Sequence, residues 1–176
     1  MGDPNHQNAL DLKLKLSQIL PLFGHRNWIV VADSAYPAQS NPGIETVVAS
    51  GDQIDVVQAV ADAISASIHV NALVHLDREL ALVQEDDAPG VDEYRRQLEG
   101  VIYGLQVGRI PHDEIIARLD HSARVFRILI VKTEMTIPYT SVFFELNCRY
   151  WNAEAEQQLR QTLAAQGDSQ AVSSPR

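Results

Sequence analysis

Two side chains near the first apolar run of the sequence could carry acid-base chemistry. Asp33 directly follows the apolar residues 27–32, and His25 precedes them. Ligands of open α/β sheets bind outside the carboxyl ends of the strands, so a carboxylate at this position can anchor a polar ligand. Asp33 could instead cap the turn that follows it, and His25 could be an ordinary loop histidine. Neither residue decides between these interpretations by itself.

Alternating strands and helices are predicted to position these side chains. The β-branched run at 27–32 predicts a strand buried on both faces, and the Pro- and Gly-containing residues 34–43 predict a loop after it. The other predicted elements are helices at 53–66, 91–104, 112–123 and 152–165, strands at 70–76, 125–131 and 141–146, and a turn at 86–90. This alternation predicts one three-layer α/β/α domain with a mixed or largely parallel sheet.

The two ends of the chain have less regular patterns. Leucines at positions 10 to 16 alternate with polar residues as in a strand, whereas residues 17–23 favour a short helix. We predict a helix for the whole segment. The folded domain is predicted to occupy residues 1–151. Residues 152–176 are predicted to form a carboxyl-terminal helix and a disordered tail that begins near residue 166.

Several short motifs occur in the order of a known family. They are Gly24-His25, Asp33 with Pro37 shortly after it, and a late Thr133 followed by Pro138-Tyr139-x-Ser141. Together they extend over most of the chain and resemble the ribose pyranase and fucose mutarotase family. The resemblance implies that His25 is a proton donor, and that sugar hydroxyls are held by Asp33, His112, Tyr139, Thr140 and Ser141.

The chain departs from the family pattern at two places that bear on function. Ser141 stands where the family has asparagine, which removes an amide that could both donate and accept hydrogen bonds. Glu134-Met135 stands in place of a Gly-Glu pair. These changes leave open an alternative function, a non-catalytic monosaccharide-binding or sensing module of the same fold.

The chemistry of ring interconversion suits these residue types. An aldose such as fucose or ribose changes its ring form when the ring oxygen is protonated and the anomeric hydroxyl is deprotonated. A histidine with an unperturbed pKa of about 6.5 can transfer both protons near neutrality, and such catalysis contributes about 10²- to 10⁴-fold. The sequence therefore predicts an isomerase, a sugar mutarotase or pyranase that needs no metal or organic cofactor.

Other candidate sites lack the spacing that their chemistry needs. His69 and His75 flank a predicted strand and would lie about 20 Å apart, so we predict loop or surface histidines that share no metal. His112 and His121 would lie about 13 Å apart along a helix. The single cysteine, Cys148, follows a predicted strand, has no clear basic partner and is predicted to be inert. The sequence has no glycine-rich phosphate-binding loop.

Composition narrows the partners that we expect. A chain of 176 residues with 45% hydrophobic residues can bury one core, and its net charge of -9 disfavours binding to nucleic acid or to an anionic membrane. The sequence has no apolar run of membrane-spanning length, and its first residues do not resemble a secretory signal. Composition therefore favours a cytoplasmic protein, and the family resemblance implies that its partner is a small monosaccharide.

Self-association is a further expectation. The family resemblance implies ring-shaped homo-oligomers, typically decamers, with sites close to the subunit boundaries. From the sequence, we expect exposed Phe143, Phe144, Tyr150 and Trp151 to supply an apolar contact between copies.

A phospho-acceptor regulatory domain is a second alternative. Asp33 at the end of a strand could accept phosphate, and Lys132 ends a later strand. The sequence lacks the additional acidic pair that such a site needs to hold magnesium.

Overall fold

A computed structural model describes the backbone of residues 4–171 and the side chains of residues 11–152 and 154–166. The described residues form five α-helices and six β-strands. The helices are α1 (Pro4–Ile19), α2 (Gln53–Ala66), α3 (Val91–Val101), α4 (His112–Ala123) and α5 (Ala153–Ala171). The strands are β1 (Trp28–Ala32), β2 (Ile44–Val48), β3 (Val70–Asp77), β4 (Gln106–Ile110), β5 (Ile128–Lys132) and β6 (Val142–Cys148).

The six strands form one mixed sheet in the order β2-β5-β1-β6-β3-β4. The pairs β2 with β5, β5 with β1, and β3 with β4 are parallel, whereas β6 runs antiparallel to both of its neighbours, β1 and β3. Consequently β1 to β5 all end at one edge of the sheet, and β6 begins there. We call this edge the carboxyl edge and the opposite one the amino edge.

The helices pack on both faces of the sheet and produce the predicted three-layer α/β/α domain. Helices α1, α2 and α3 cover one face, and α4 covers part of the other. All five residues of β1 are at most 1% exposed, which confirms the strand predicted there as buried on both faces. Each large aliphatic side chain buried in this way contributes about 1.5 to 3 kcal/mol to folding.

The predicted helices at 53–66 and 112–123 have the predicted bounds. Asp52 caps α2 by accepting a hydrogen bond from the backbone N–H of Ile54 at 2.7 Å, as expected for a helix that begins after aspartate. Helix α1 is also confirmed. Of its alternating leucines, Leu12 and Leu16 are buried and Leu14 is 58% exposed, which is the spacing of one helical face.

The remaining differences from the predicted elements have physical reasons. Strands β2 and β4 were not predicted because both lie at the sides of the sheet and carry exposed polar residues. Strand β5 begins at Ile128, three residues later than predicted, after an exposed Val125. Helix α5 continues to Ala171, past residue 166 where the tail was predicted to begin, although Gly167, Asp168 and Ser169 are weak helix formers. Residues 172–176 lie outside the described residues.

The expectation that Phe143 and Phe144 are exposed is wrong. Strand β6 lies between β1 and β3 at the centre of the sheet, so both phenylalanines are buried, one on each face. Tyr150 and Trp151 follow the strand and are exposed. No helix among the described residues is long and apolar enough to cross a membrane.

Candidate functional site

Asp33 lies at the carboxyl edge, directly after β1, and both of its carboxylate oxygens accept a hydrogen bond. Oδ2 accepts from the Ser141 hydroxyl at 2.9 Å, and Oδ1 accepts from the Ala35 backbone N–H at 2.9 Å. Ser141 precedes β6, which pairs with β1, so the antiparallel strand brings these two residues together. Asp33 therefore caps its turn and also faces the candidate site. A carboxylate has about four lone-pair positions, so this one can accept further hydrogen bonds.

His112 is brought to the same edge by the short connection from β4 to α4. It is the first residue of α4, and its backbone N–H donates to both carboxylate oxygens of Glu79, at 3.1 and 3.0 Å. Its Nδ1 lies 3.1 Å from Oδ2 of Asp77, the last residue of β3. The two groups are close enough for a hydrogen bond but are not well aligned for one.

Asp77 is an ionisable group that the fold buries at this edge. Its side chain is 0% exposed, whereas that of His112 is 35% exposed. Burial raises the pKa of Asp77 from 3.8 to about 6, and the neighbouring His112 opposes that shift. The charges of Glu79 and Asp33 also raise the pKa of Asp77. Asp33, Asp77 and His112 therefore form one electrostatically connected group.

Tyr139 completes the exposed part of the site. Its ring packs edge-on against the imidazole of His112, with 5.7 Å between the ring centres. The side chain is 40% exposed, and the backbone has a φ of 59°. A left-handed backbone is uncommon for a residue with a bulky side chain and is often found at ligand-binding sites. The phenol is thus held beside the histidine with its hydroxyl available.

Thr140 anchors the loop from inside the protein. It is 0% exposed, and its hydroxyl donates to the Ile137 carbonyl at 2.7 Å. Its own carbonyl accepts from the amide of Gln53 at 2.5 Å and from the hydroxyl of Tyr94 at 2.6 Å. Gln53 also accepts from the hydroxyl of Thr133 at 2.6 Å. A contact of Thr140 with a sugar stays a prediction, while its observed contacts all hold the loop in place.

Tyr36 and Lys132 also lie near this edge, where the Tyr36 side chain is buried and the Lys132 ammonium is engaged. Burial raises the pKa of Tyr36 to about 12, so its phenol stays neutral. The ammonium of Lys132 donates to the Tyr36 carbonyl at 2.7 Å. Because a phospho-acceptor site would use a free lysine beside Asp33, this engagement argues against that alternative.

His25 lies at the opposite edge of the sheet. It is exposed, precedes β1, and its Nε2 accepts from the guanidinium of Arg26 at 2.9 Å. Strand β1 alone spans about 13 Å, so one copy of the chain does not bring His25 to Asp33.

The interpretation of His75 as a loop or surface histidine is wrong. His75 is 2% exposed within β3, its ring stacks on Trp28 with 5.3 Å between centres, and its Nε2 lies 2.8 Å from a carboxylate oxygen of Glu145. Trp28 belongs to β1 and Glu145 belongs to β6. A local sequence pattern cannot reveal that the sheet brings these strands close to β3. His69 is half-buried, and its ring lies within hydrogen-bond distance of the Ser67 hydroxyl.

Three residues of this edge were missed from the sequence: Asp77, Glu79 and Gln53. The signal for Asp77 was present, because it ends an apolar strand much as Asp33 follows one. Glu79 and Gln53 carry no comparable signal, since the partner of Glu79 lies 33 residues away and those of Gln53 lie 41 to 87 residues away.

The edge as a whole can bind a small polyhydroxylated molecule and move protons on it. It offers a carboxylate acceptor at Asp33, a phenol at Tyr139 and a partly exposed imidazole at His112. Ser141 holds the Asp33 carboxylate, buried Asp77 lies behind His112, and the His112 ring packs against Tyr139. Among the described residues, no group of three or more His, Cys, Asp or Glu side chains is arranged to hold a metal ion.

Comparison with known proteins agrees with this fold. Bacillus subtilis RbsD complexed with D-ribose is 19% identical with a TM-score of 0.55, and the match covers 76% of this chain and 91% of that one. The fucose mutarotase from Streptococcus pneumoniae in complex with L-fucose is 20% identical with a TM-score of 0.50, with the same coverage of 76% and 91%. No curated protein matches the sequence significantly.

A family model provides the assignment. The model of the RbsD / FucU transport protein family matches residues 9–148. That range includes every strand of the sheet and all the residues gathered at the carboxyl edge. The chain therefore belongs to the RbsD / FucU transport protein family.

Proposed function

We propose that this protein is a monosaccharide mutarotase or pyranase that binds a free aldose at the carboxyl edge and interconverts its ring forms. One observation carries the proposal: Asp33, His112 and Tyr139 converge at one edge of the sheet. Solved members of the same fold are complexed with D-ribose and L-fucose, which supports a sugar of this size as the ligand. We assign the function to residues 1–151, with α5 outside the sugar site.

The roles follow from the groups present. Asp33 and Tyr139 would hold sugar hydroxyls, with Ser141 fixing the carboxylate from the side. Ring opening then needs a proton for the ring oxygen and an acceptor for the anomeric proton, and only proton transfer is involved. The proposal therefore includes no metal or organic cofactor, and exchange activity that is lost on exhaustive chelation would contradict this part of it.

His25 fits the role of proton donor only if it acts on another copy of the chain. It is exposed at the amino edge, whereas the other proposed site residues lie at the carboxyl edge. We therefore propose a homo-oligomer in which the amino edge of one copy lies against the carboxyl edge of the next. Such a head-to-tail contact closes into a ring when the rotation from one copy to the next is a whole fraction of a turn. Light scattering that finds a monomer at micromolar concentration would count against it.

Exchange spectroscopy by NMR is the test of activity, because ring interconversion gives no net product. Ribose, fucose and other free aldoses are each scanned with and without the protein, and sugar binding is measured in parallel by calorimetry. We expect accelerated exchange for at least one aldose. Binding without accelerated exchange would instead establish the second candidate, a non-catalytic sugar-binding module. That candidate is favoured by one observation, the engagement of the Ser141 hydroxyl by Asp33.

Mixing of variants tests whether His25 acts between copies. His25→Ala and Asp33→Ala are each expected to lack exchange activity when assembled alone. If His25 reaches the site of a neighbour, reassembly of an equal mixture restores about a quarter of the sites. The matched control mixes Asp33→Ala with Tyr139→Ala, which restores none because both residues belong to the same copy. Equal recovery in the two mixtures would refute the shared site.

A further inference from the structure

Asp77 is a buried acid that the proposed sugar contacts leave without a role. Its side chain is fully buried, yet neither carboxylate oxygen has a well-aligned hydrogen bond. Burying a carboxylate is costly unless a partner compensates it. The nearest such partner is Nδ1 of His112, at 3.1 Å.

The backbone and ring of His112 are held by two different acids. Glu79 binds its backbone N–H, which fixes the start of α4. Nδ1 of the ring is buried beside Asp77, although the side chain as a whole is 35% exposed. The exposed part of the imidazole therefore includes Nε2, and this is the nitrogen that a ligand can reach. Tyr139 packs edge-on against the ring and limits its rotation.

We propose that Asp77 is a positioning residue that keeps the His112 proton on Nδ1, so that Nε2 acts as the base for the anomeric hydroxyl. A carboxylate behind a histidine selects the tautomer with its proton on the facing nitrogen, which leaves the other nitrogen free to accept. The inference rests on the proposed function, and it changes His112 from a group that only holds a hydroxyl into a catalytic residue.

The step balances without any further reactant. The anomeric O–H proton passes to Nε2 of His112. The electron pair of that O–H bond then forms the carbonyl bond as the bond between the anomeric carbon and the ring oxygen breaks. The ring oxygen takes a proton from the donor, which we propose to be His25. The open-chain aldose rotates, and the same transfers in reverse close the new ring. Nothing is oxidised or reduced.

The state of Asp77 should then govern the acidic side of the activity profile. Four groups face or act on it: His112 at the start of α4, Glu79 in the short helix Arg78–Leu82, Asp33 after β1, and Tyr36 in the loop beyond. Protonation of Asp77 removes its preference for the Nδ1–H tautomer. We therefore expect the exchange rate to fall as the pH drops through about 6.

The first measurement is the tautomer of His112, read from ¹⁵N chemical shifts of its imidazole. Wild-type protein near pH 7.5 is expected to carry the proton on Nδ1, and Asp77→Asn to shift it toward Nε2, because an amide can donate to the facing nitrogen. Asp77→Glu keeps a carboxylate and is expected to retain the wild-type tautomer. The control is Asp113→Asn, an exposed position next to His112. An unchanged tautomer in Asp77→Asn would overturn the positioning role.

The second measurement is sugar exchange in the same proteins. We expect Asp77→Asn to slow exchange on the order of 10²-fold while its sugar affinity changes by less than about threefold. Equal exchange rates in Asp77→Asn and wild type would overturn the base role of His112. Absence of exchange in the wild type with every aldose would overturn the proposed function and the base role together. The tautomer measurement decides the positioning role separately in that case.

Discussion

Replacing Asp77 with asparagine should change how the stability of the protein depends on pH. Burial raises the pKa of Asp77 from 3.8 to about 6 in the folded protein. The folded state therefore binds this proton more tightly than the unfolded state does. The resulting stabilisation is fully present below about pH 4 and is lost as the pH rises through about 6. Asparagine does not titrate, so the variant lacks this dependence.

The magnitude follows from the size of the shift. A difference of about two pKa units corresponds to about 3 kcal/mol in the free energy of unfolding. Asparagine also leaves a polar group in the same buried place, which adds a cost that does not vary with pH. We therefore expect the free energy of unfolding of Asp77→Asn, relative to wild type, to rise by about 3 kcal/mol between pH 4 and 7.

The assay is equilibrium denaturation of both proteins at several pH values and one ionic strength. The difference between variants at each pH removes the titration of all groups that they share. Asp113→Asn serves as the control for the loss of an exposed charge. A second comparison adds His112→Gln to both the wild type and Asp77→Asn, so that His112 no longer titrates in either protein. A difference that stays within about 0.5 kcal/mol across the range, or that falls with pH, would refute the reasoning.

Three further outcomes are expected. His25→Ala should abolish accelerated exchange while sugar binding weakens only modestly, whereas Asp33→Ala should lower both the exchange rate and the sugar affinity. If NMR finds intact exchange in His25→Ala, His25 is not the proton donor. Tyr94→Phe should lower the free energy of unfolding by about 1 to 3 kcal/mol because it removes a buried hydrogen bond. The control is Tyr103→Phe, which should leave the free energy of unfolding unchanged because Tyr103 is 90% exposed. Equal denaturation curves for the two variants would contradict this. Tyr139→Gly should relieve the strain of the left-handed backbone, which is worth about 1 kcal/mol of folding stability, yet weaken sugar binding measured by calorimetry. An unchanged affinity would show that the phenol does not contact the ligand.

The sequence predicted the centre of the fold better than its sides. Strand β1 and helix α2 were found because an apolar run and a helical repeat reflect burial directly. Strands β2 and β4 were missed because each has only one neighbour in the sheet and carries polar residues. Burial, and not strand formation itself, is what the local pattern reports.

The site was predictable only where one strand determined it. Asp33 could be located from the run before it, and the family resemblance supplied His112 and Tyr139. The contact between His112 and Asp77 depends on β4 lying next to β3, which no local pattern contains. The position of His25 at the amino edge could be read from the sequence, but its distance from the other residues needed the assembled sheet.

The central place of β6 has a consequence for synthesis of the protein. Of the strands that the structure describes, it is the last to leave the ribosome, yet it alone joins β1 to β3. A nascent chain that ends before Val142 has two partial sheets, each with an unpaired inner strand, and such strands invite pairing with other chains. We expect stalled chains of that length to be cut readily by protease at residues that are buried in the complete protein. The complete sheet and the proposed sugar site then form together, once β6 has left the ribosome.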